Sequence, residues 1–381
     1  MLIKIKNKKG DVIISENYLD LKSAVLANKE CLAGADLRDV KLIDVDLGGA
    51  NLKGANLKRI HLIGVDLRGA NLEGANLRKA HLENVSLERA NFRGANLDEA
   101  ILENVFFGIN ARLESASLEK VNLSTNIILE SANLSNAKLG GAHLEYADLR
   151  DADLSHTDMR GTNMAFANLE SANLDSAILC DTHLYKANLR AVNLRNAQLD
   201  GTNLAYADLR SARLDGVHLE HVHLEHAILC GINLNGASLK GVNLSGIDLR
   251  RSNLSNTHLE KADLSNANIE QANLNGSHLE GSTMISSNLC KASIEYAHLE
   301  CANISHANVD GASLRYSHFS RATLDNVYLN RAANTEGANF INASQNGKIL
   351  TGSTDTMRPF HDDIKGRGSS WGPGYNWTND D

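Results

Sequence analysis

From Ala35 onward, leucine returns at every fifth residue: ADLRD VKLID VDLGG ANLKG ANLKR IHLIG VDLRG. Each unit is a small or β-branched residue, then Asp, Asn or His, then Leu, then two mostly polar positions. A period of five matches neither the 3.6 of an α-helix nor the 2.0 of a flat strand. Two apolar positions in five must turn inward and three outward. A chain coiling as a square, one unit per side, satisfies this, with Leu at the centre and the small residue at each corner. One coil then takes about 20 residues and stacks on the next at the sheet spacing of roughly 4.8 Å. The register holds from Leu37 to Phe107, slips at Asn110 and within Thr125–Ser131, runs unbroken from Leu134 to Leu329, and slips again near Thr335.

The ends break the pattern. LIKIKN, a NKKG turn and DVIIS predict a β-hairpin, and Tyr18–Lys29 a short helix with Leu19, Leu21, Ala24 and Val25 on its apolar side. A solenoid exposes its bore and its sheet edges at each end, so residues 1–30 are expected to cap a solenoid spanning 31–346. Residues 347–381 hold both prolines, Pro359 and Pro373, and both tryptophans, Trp371 and Trp377. A folded-back cap and a mobile partner-binding tail are both open for them.

The tandem A(D/N)LXX units resemble those of the pentapeptide-repeat proteins, over roughly residues 30–345. The resemblance implies an all-β right-handed quadrilateral β-helix. It implies less about function. The members best understood mechanistically are dimers whose acidic rod occupies the DNA-binding saddle of DNA gyrase or topoisomerase IV, and some give resistance to quinolones or to a toxin. A homodimer is therefore open here as well. The hairpin-plus-helix opening is similar to those of repeat proteins from bacteria and phages, so a phage or prophage source is open too.

Composition narrows the picture. Of 381 residues, 43% are apolar but only 4% aromatic, so Leu and Ala must build the core. Net charge is −8, and residues 1–100 carry about 16 basic against 14 acidic side chains, which leaves the excess acid to the remainder. Direct nucleic-acid binding, which relies on clustered Lys and Arg, is not expected. No run approaches the roughly 18 apolar residues of a membrane helix, and MLIKIKNKKGDVIIS lacks the shape of a signal peptide. Five cysteines (Cys31, Cys180, Cys230, Cys290 and Cys301) without CxxC spacing fit reduced cytoplasmic thiols.

Residues 20 apart should stack in columns. Glu220, Glu260, Glu280 and Glu300 form an acidic column beside His218, His258, His278, His298 and His318. Tyr146, Phe166 and Tyr206 recur at the last position of one face, in line with Lys186 and His226. The dense stretch HLEHVHLEH (218–226) reads as surface histidine standing in for Asp or Asn, and no metal site is expected. There is no GxSxG, phosphate-cradling glycine loop or HExxH, so neither catalysis nor a cofactor is expected. Two functions remain. One is a rigid scaffold that binds a host or virion protein through the aromatic column and the tail tryptophans Trp371 and Trp377. The other is an acidic DNA mimic whose glutamate column engages a DNA enzyme.

Overall fold

The computed structural model describes residues 1–123, 126–214, 216–219, 221–351 and 376–378. They fall into two compact units, Met1–Asn203 and Leu204–Asp381.

The first unit opens on a hairpin of β1 (Leu2–Lys6) and β2 (Val12–Asn17), paired antiparallel, with Ile5 and Ile14 buried. Asn7 Oδ1 accepts the N–H groups of Lys9 and Asp11 and closes the turn. Helix α1 spans Leu21–Ala27, shorter than the periodicity predicts. Asp20 is the reason: its carboxylate accepts the Ser23 N–H at 2.7 Å and starts the helix there. Leu19 consequently lies outside the helix and is 85% exposed, while Ala24 and Val25 are buried. The Lys6 carbonyl then accepts the N–H of Asp36, which ties the hairpin to the first repeat units.

Beyond that point the unit is a β-solenoid. Asn56 donates its N–H to the Ala35 carbonyl (2.8 Å) and its own carbonyl accepts the Leu37 N–H (2.9 Å), so rungs 20 residues apart pair in parallel. Between rungs the chain turns. The Ala55 N–H returns to the Leu52 carbonyl at 3.0 Å around Gly54, whose φ is 63°. A positive φ at the third residue of such a turn is the type II signature. The regular repeat therefore contributes one ladder residue, one buried Leu (or another large apolar residue, such as Phe92 or Met164) and one left-handed turn residue. On one face the ladder lengthens into strands β3 (Lys41–Ile43), β4 (His61–Ile63), β5 (His81–Glu83), β6 (Ile101–Glu103) and β7 (Asn122–Leu123), parallel and adjacent in chain order.

Asn and Asp suit the ladder position for a local reason. Their Oδ1 accepts the N–H two residues on, as Asp66 does from Arg68 at 2.9 Å. Asn side chains also bond across coils, as Asn193 does to Asn173 at 2.8 Å. Where Thr replaces Ala at the buried position, the hydroxyls of Thr162, Thr182 and Thr202 each donate to a main-chain carbonyl at 2.8 Å, which satisfies those buried donors. The irregularities are absorbed one residue at a time. Asn91 pairs with Arg112 and Arg112 with Asn133, offsets of 21 rather than 20.

The second unit repeats the same ladder, with Asp248 bridging Ile228 and Asn268. Phe319 and Phe340 stack inside it at 4.9 Å. Its last rungs again pair at 21, His318 with Asn339 and Thr323 with Ser344. Strand β8 (Ala343–Gln345) then turns through Asn346 and Gly347 into β9 (Lys348–Thr351). Both turn residues have positive φ, 50° and 75°, the requirement of a two-residue type I′ hairpin. Strand β10 (Asn376–Thr378) pairs antiparallel with β9. The expected boundary at 346/347 thus falls inside a hairpin.

Candidate interaction surface

The turn residues point outward from left-handed backbone, and several are aromatic. In the first unit Tyr146 and Phe166 both have φ of 61°, a placement that costs a side chain with a Cβ roughly 1–2 kcal/mol. Their rings stack at 4.9 Å with planes 4° apart, an arrangement worth about 0.5–1.5 kcal/mol beyond area. Tyr185 meets the edge of Phe166 at 5.6 Å, and the Lys186 ammonium lies 5.9 Å from the Phe166 centroid. Tyr146 and Phe166 stay 50% and 41% exposed. This is an amphipathic, partly cationic patch.

Tyr206 belongs to the second unit, where it stacks on His226 at 4.7 Å. The His226 ring in turn lies against Gly246, where a Cβ would collide with it. The 20-residue rule also brings together a pair that the sequence reading passed over: Tyr296 and Tyr316 stack at 5.1 Å, with the Arg315 guanidinium 5.2 Å from the Tyr316 ring. Their spacing was the available signal. A second omission lies at the first slip, where Gly108 and Asn110 turn the chain (φ 75° and 59°) and leave Phe106 and Ile109 exposed. An apolar residue at an outward position marked it.

The acidic column occupies the second unit. Glu220 lies outside the described residues. Glu260, Glu280 and Glu300 are each set beside an imidazole of their own coil, with Nδ1–Oε1 separations of 3.3, 3.3 and 3.5 Å to His258, His278 and His298. The imidazoles stack on one another at 4.8 and 5.0 Å with planes within 7°. The second oxygen, Oε2, of each glutamate is buried with no hydrogen-bond partner. Burial works to raise the Glu260 carboxyl, but its own backbone N–H, His258 and Lys240 together hold it below the usual value.

Other carboxylates are neutralised by arginine. Arg150 contacts Asp148 at 2.6 Å, Arg160 contacts Asp158 at 2.6 Å and Arg250 contacts Asp248 at 2.7 Å. The guanidinium two residues on holds Asp148 and Asp158 below the ordinary carboxylate range. Among the described residues, the ion pairs of Glu260, Glu280 and Glu300 are with histidine only. In the 218–226 histidine stretch, His223 lies 3.6 Å from Glu225 and His226 stacks with Tyr206. Among the described residues, the ligand atoms that gather within 4.8 Å of one another lie in His298–Glu300–His318 and in His81–Glu83–Glu103. Trp371 is outside the described residues, and Trp377 is placed by its backbone alone, opposite Leu350.

No helix among the described residues is long and apolar enough to cross a membrane. The sequence profile of the family described as Pentapeptide repeats matches residues 31–104, 127–300 and 302–333. Similar solved structures include HetL, a pentapeptide repeat protein involved in heterocyst differentiation regulation in Nostoc sp. strain PCC 7120 (30% identity, 60% of this chain, 92% of that one, TM-score 0.37). Full-length QnrB1, a plasmid-mediated fluoroquinolone resistance protein, is 18% identical over 58% of this chain and 94% of its own (TM-score 0.21). A pentapeptide repeat protein of the Arabidopsis thaliana thylakoid lumen is 27% identical over 33% and 71% (TM-score 0.16). No curated protein is a significant match.

Proposed function

The chain belongs to the pentapeptide-repeat family, and from that premise we propose that it is a right-handed quadrilateral β-solenoid that works without catalysis, as a rigid scaffold for protein partners. One observation carries the reading: Tyr146 and Phe166 are held stacked and exposed on left-handed backbone. Left-handed backbone recurs at turns throughout the chain, so what distinguishes this pair is the two stacked, exposed rings, and exposed aromatics supply much of the energy at protein interfaces. Rigid stacking also lowers the entropy lost on binding. The hairpin and α1 fit a cap that covers the first coil.

The test is capture of partners from bacterial lysate on the immobilised full chain, at low and at high salt, read by mass spectrometry. A partner retained at high salt and lost with Tyr146→Ala plus Phe166→Ala supports the scaffold. Retention by that double variant removes the aromatic column from the reading. Loss on truncating residues 352–381 would add Trp371 and Trp377 to the contact.

The acidic column favours a second reading, a DNA mimic. Its carboxylates lack the arginine partners that neutralise Asp148, Asp158 and Asp248. A DNA-binding enzyme such as gyrase or topoisomerase IV would then be captured at low salt only, because screening shortens the reach of surface charge. Glu260→Lys with Glu280→Lys should abolish that capture. An unchanged yield would sink the mimicry.

A further inference from the structure

The histidine column ends differently from the way it runs. His258, His278 and His298 each face the glutamate two residues on, one imidazole to one carboxylate. At the next rung, position 320 is Ser rather than Glu, so His318 has no carboxylate at the equivalent place in its own coil. Its ring is tilted 50° from that of His298, whereas the preceding pairs lie within 7° of parallel. The tilt brings His318 Nδ1 to 3.5 Å from Glu300 Oε1, the same distance as His298 Nδ1. One carboxylate oxygen is thereby flanked by two imidazole nitrogens from adjacent coils, and the three side chains can bring one ligand atom each within 4.8 Å of one another.

Those separations suit a metal ion. With ligand bonds of 2.0–2.1 Å, a tetrahedral zinc site sets its ligand atoms about 3.3–3.4 Å apart. Two of the three edges here are already 3.5 Å. The third closes by rotation of His318, whose side chain is 48% exposed. Imidazole nitrogen suits borderline divalent ions such as zinc, nickel and copper rather than magnesium or calcium. Two histidines with one glutamate form a recognised zinc set that leaves a fourth position to water.

We propose that His298, Glu300 and His318 bind one divalent transition-metal ion, bridging two adjacent coils. This goes against the sequence-based expectation of no metal, and it is independent of the scaffold reading. The ion would act structurally, since an ion bound only by the folded chain stabilises it by mass action.

The test uses the full-length protein. Zn²⁺ bound at equilibrium dialysis is counted by elemental analysis, and Co²⁺ is added separately as a visible-absorption probe of the coordination. His318→Asn and Glu300→Gln should each weaken one equivalent of Zn²⁺ by at least about 10–100-fold, the loss that follows removal of even an outer partner of a metal ligand. Both should remove the matching Co²⁺ absorption. His258→Asn should change neither, because its rung offers a single imidazole to its carboxylate. Saturating Zn²⁺ should raise the unfolding midpoint of the wild type and of His258→Asn, but not that of His318→Asn. The proposal is overturned if the wild type binds no Zn²⁺, if His318→Asn keeps the full complement, or if His258→Asn loses as much.

Discussion

The rings of Tyr146 and Phe166 stack at 4.9 Å and those of His258 and His278 at 4.8 Å, yet the two pairs stand on different backbone. The histidines occupy ladder positions, where the chain pairs with its neighbours 20 residues away and a stack of like side chains follows from the register. The aromatics occupy turn positions with φ of 61°, which favour Gly or Asn. A histidine ladder therefore arises wherever His replaces Asn on successive rungs, and by itself it says little about function. The aromatic pair shares its left-handed backbone with turn residues such as Ser171, Lys261 and Arg321, but its two stacked rings stay exposed, so a partner site is better sought there. The informative rung among the histidines is the last one, where the regular stack breaks at His318.

Both columns hang from buried leucines, so the largest effect should come from the frame they share. Leu144→Ala, beside Tyr146, and Leu279→Ala, between His278 and Glu280, should each cost about 2–5 kcal/mol in urea unfolding. A loss below about 1 kcal/mol at either would mean that the outer column, not the leucine, holds that rung.

Glycines at the turn position separate backbone strain from ring contact. Gly161 and Gly246 both have positive φ, 64° and 67°, but a Cβ at Gly161 meets nothing within 4 Å, while one at Gly246 strikes the His226 ring. Both alanine variants should lose the roughly 1–2 kcal/mol of left-handed backbone. Gly246→Ala should lose about 1–3 kcal/mol more through overpacking. Equal losses would show that His226 turns aside freely.

Phe166→Asn removes the ring and leaves a residue that left-handed backbone accepts more readily. It forfeits a stack worth about 0.5–1.5 kcal/mol and relieves part of the roughly 1–2 kcal/mol of backbone strain, since Asn keeps its Cβ. Stability should therefore stay within about 1 kcal/mol of the wild type, while capture of a salt-resistant partner falls. A large drop in stability would make the pair structural rather than a contact surface.

Much of this was legible because the repeat is a register device. A leucine every fifth residue places the core, the ladder and the turn, and from it the columns at 20-residue spacing follow without coordinates. The remainder depended on local chemistry that period alone does not carry. Asp20 shortened the first helix by capping it at Ser23. Asn346-Gly347 is a readable hairpin signal that was absorbed into the end of the repeat. The two imidazoles that share Glu300 were invisible to column counting, which places His318 beside Ser320 and gives no account of ring orientation. Tyr296 and Tyr316 were legible and were missed, being one column among many with the same spacing.

The smallest expected effect separates the columns by acid rather than by packing. The Glu260 carboxyl is pushed up by burial but held below its ordinary value of 4.5 by its backbone N–H, His258 and Lys240. A carboxyl whose pKa is depressed on folding contributes stability that is fully present above the unfolded value and lost as pH falls through the folded one. Glu260→Gln removes that contribution. Because the side chain keeps part of its surface in water, the wild type should exceed the variant by less than about 1 kcal/mol at neutral pH, and urea midpoints should begin to converge as pH falls below about 4.5 and meet below the depressed folded value. The Phe166→Asn difference involves no titrating side chain at the substituted position and should stay flat across the same range. A Glu260→Gln gap that persisted undiminished to pH 3 would mean that the 3.3 Å contact with His258 holds through geometry alone, and the acidic column would then be as insensitive to charge as the aromatic one.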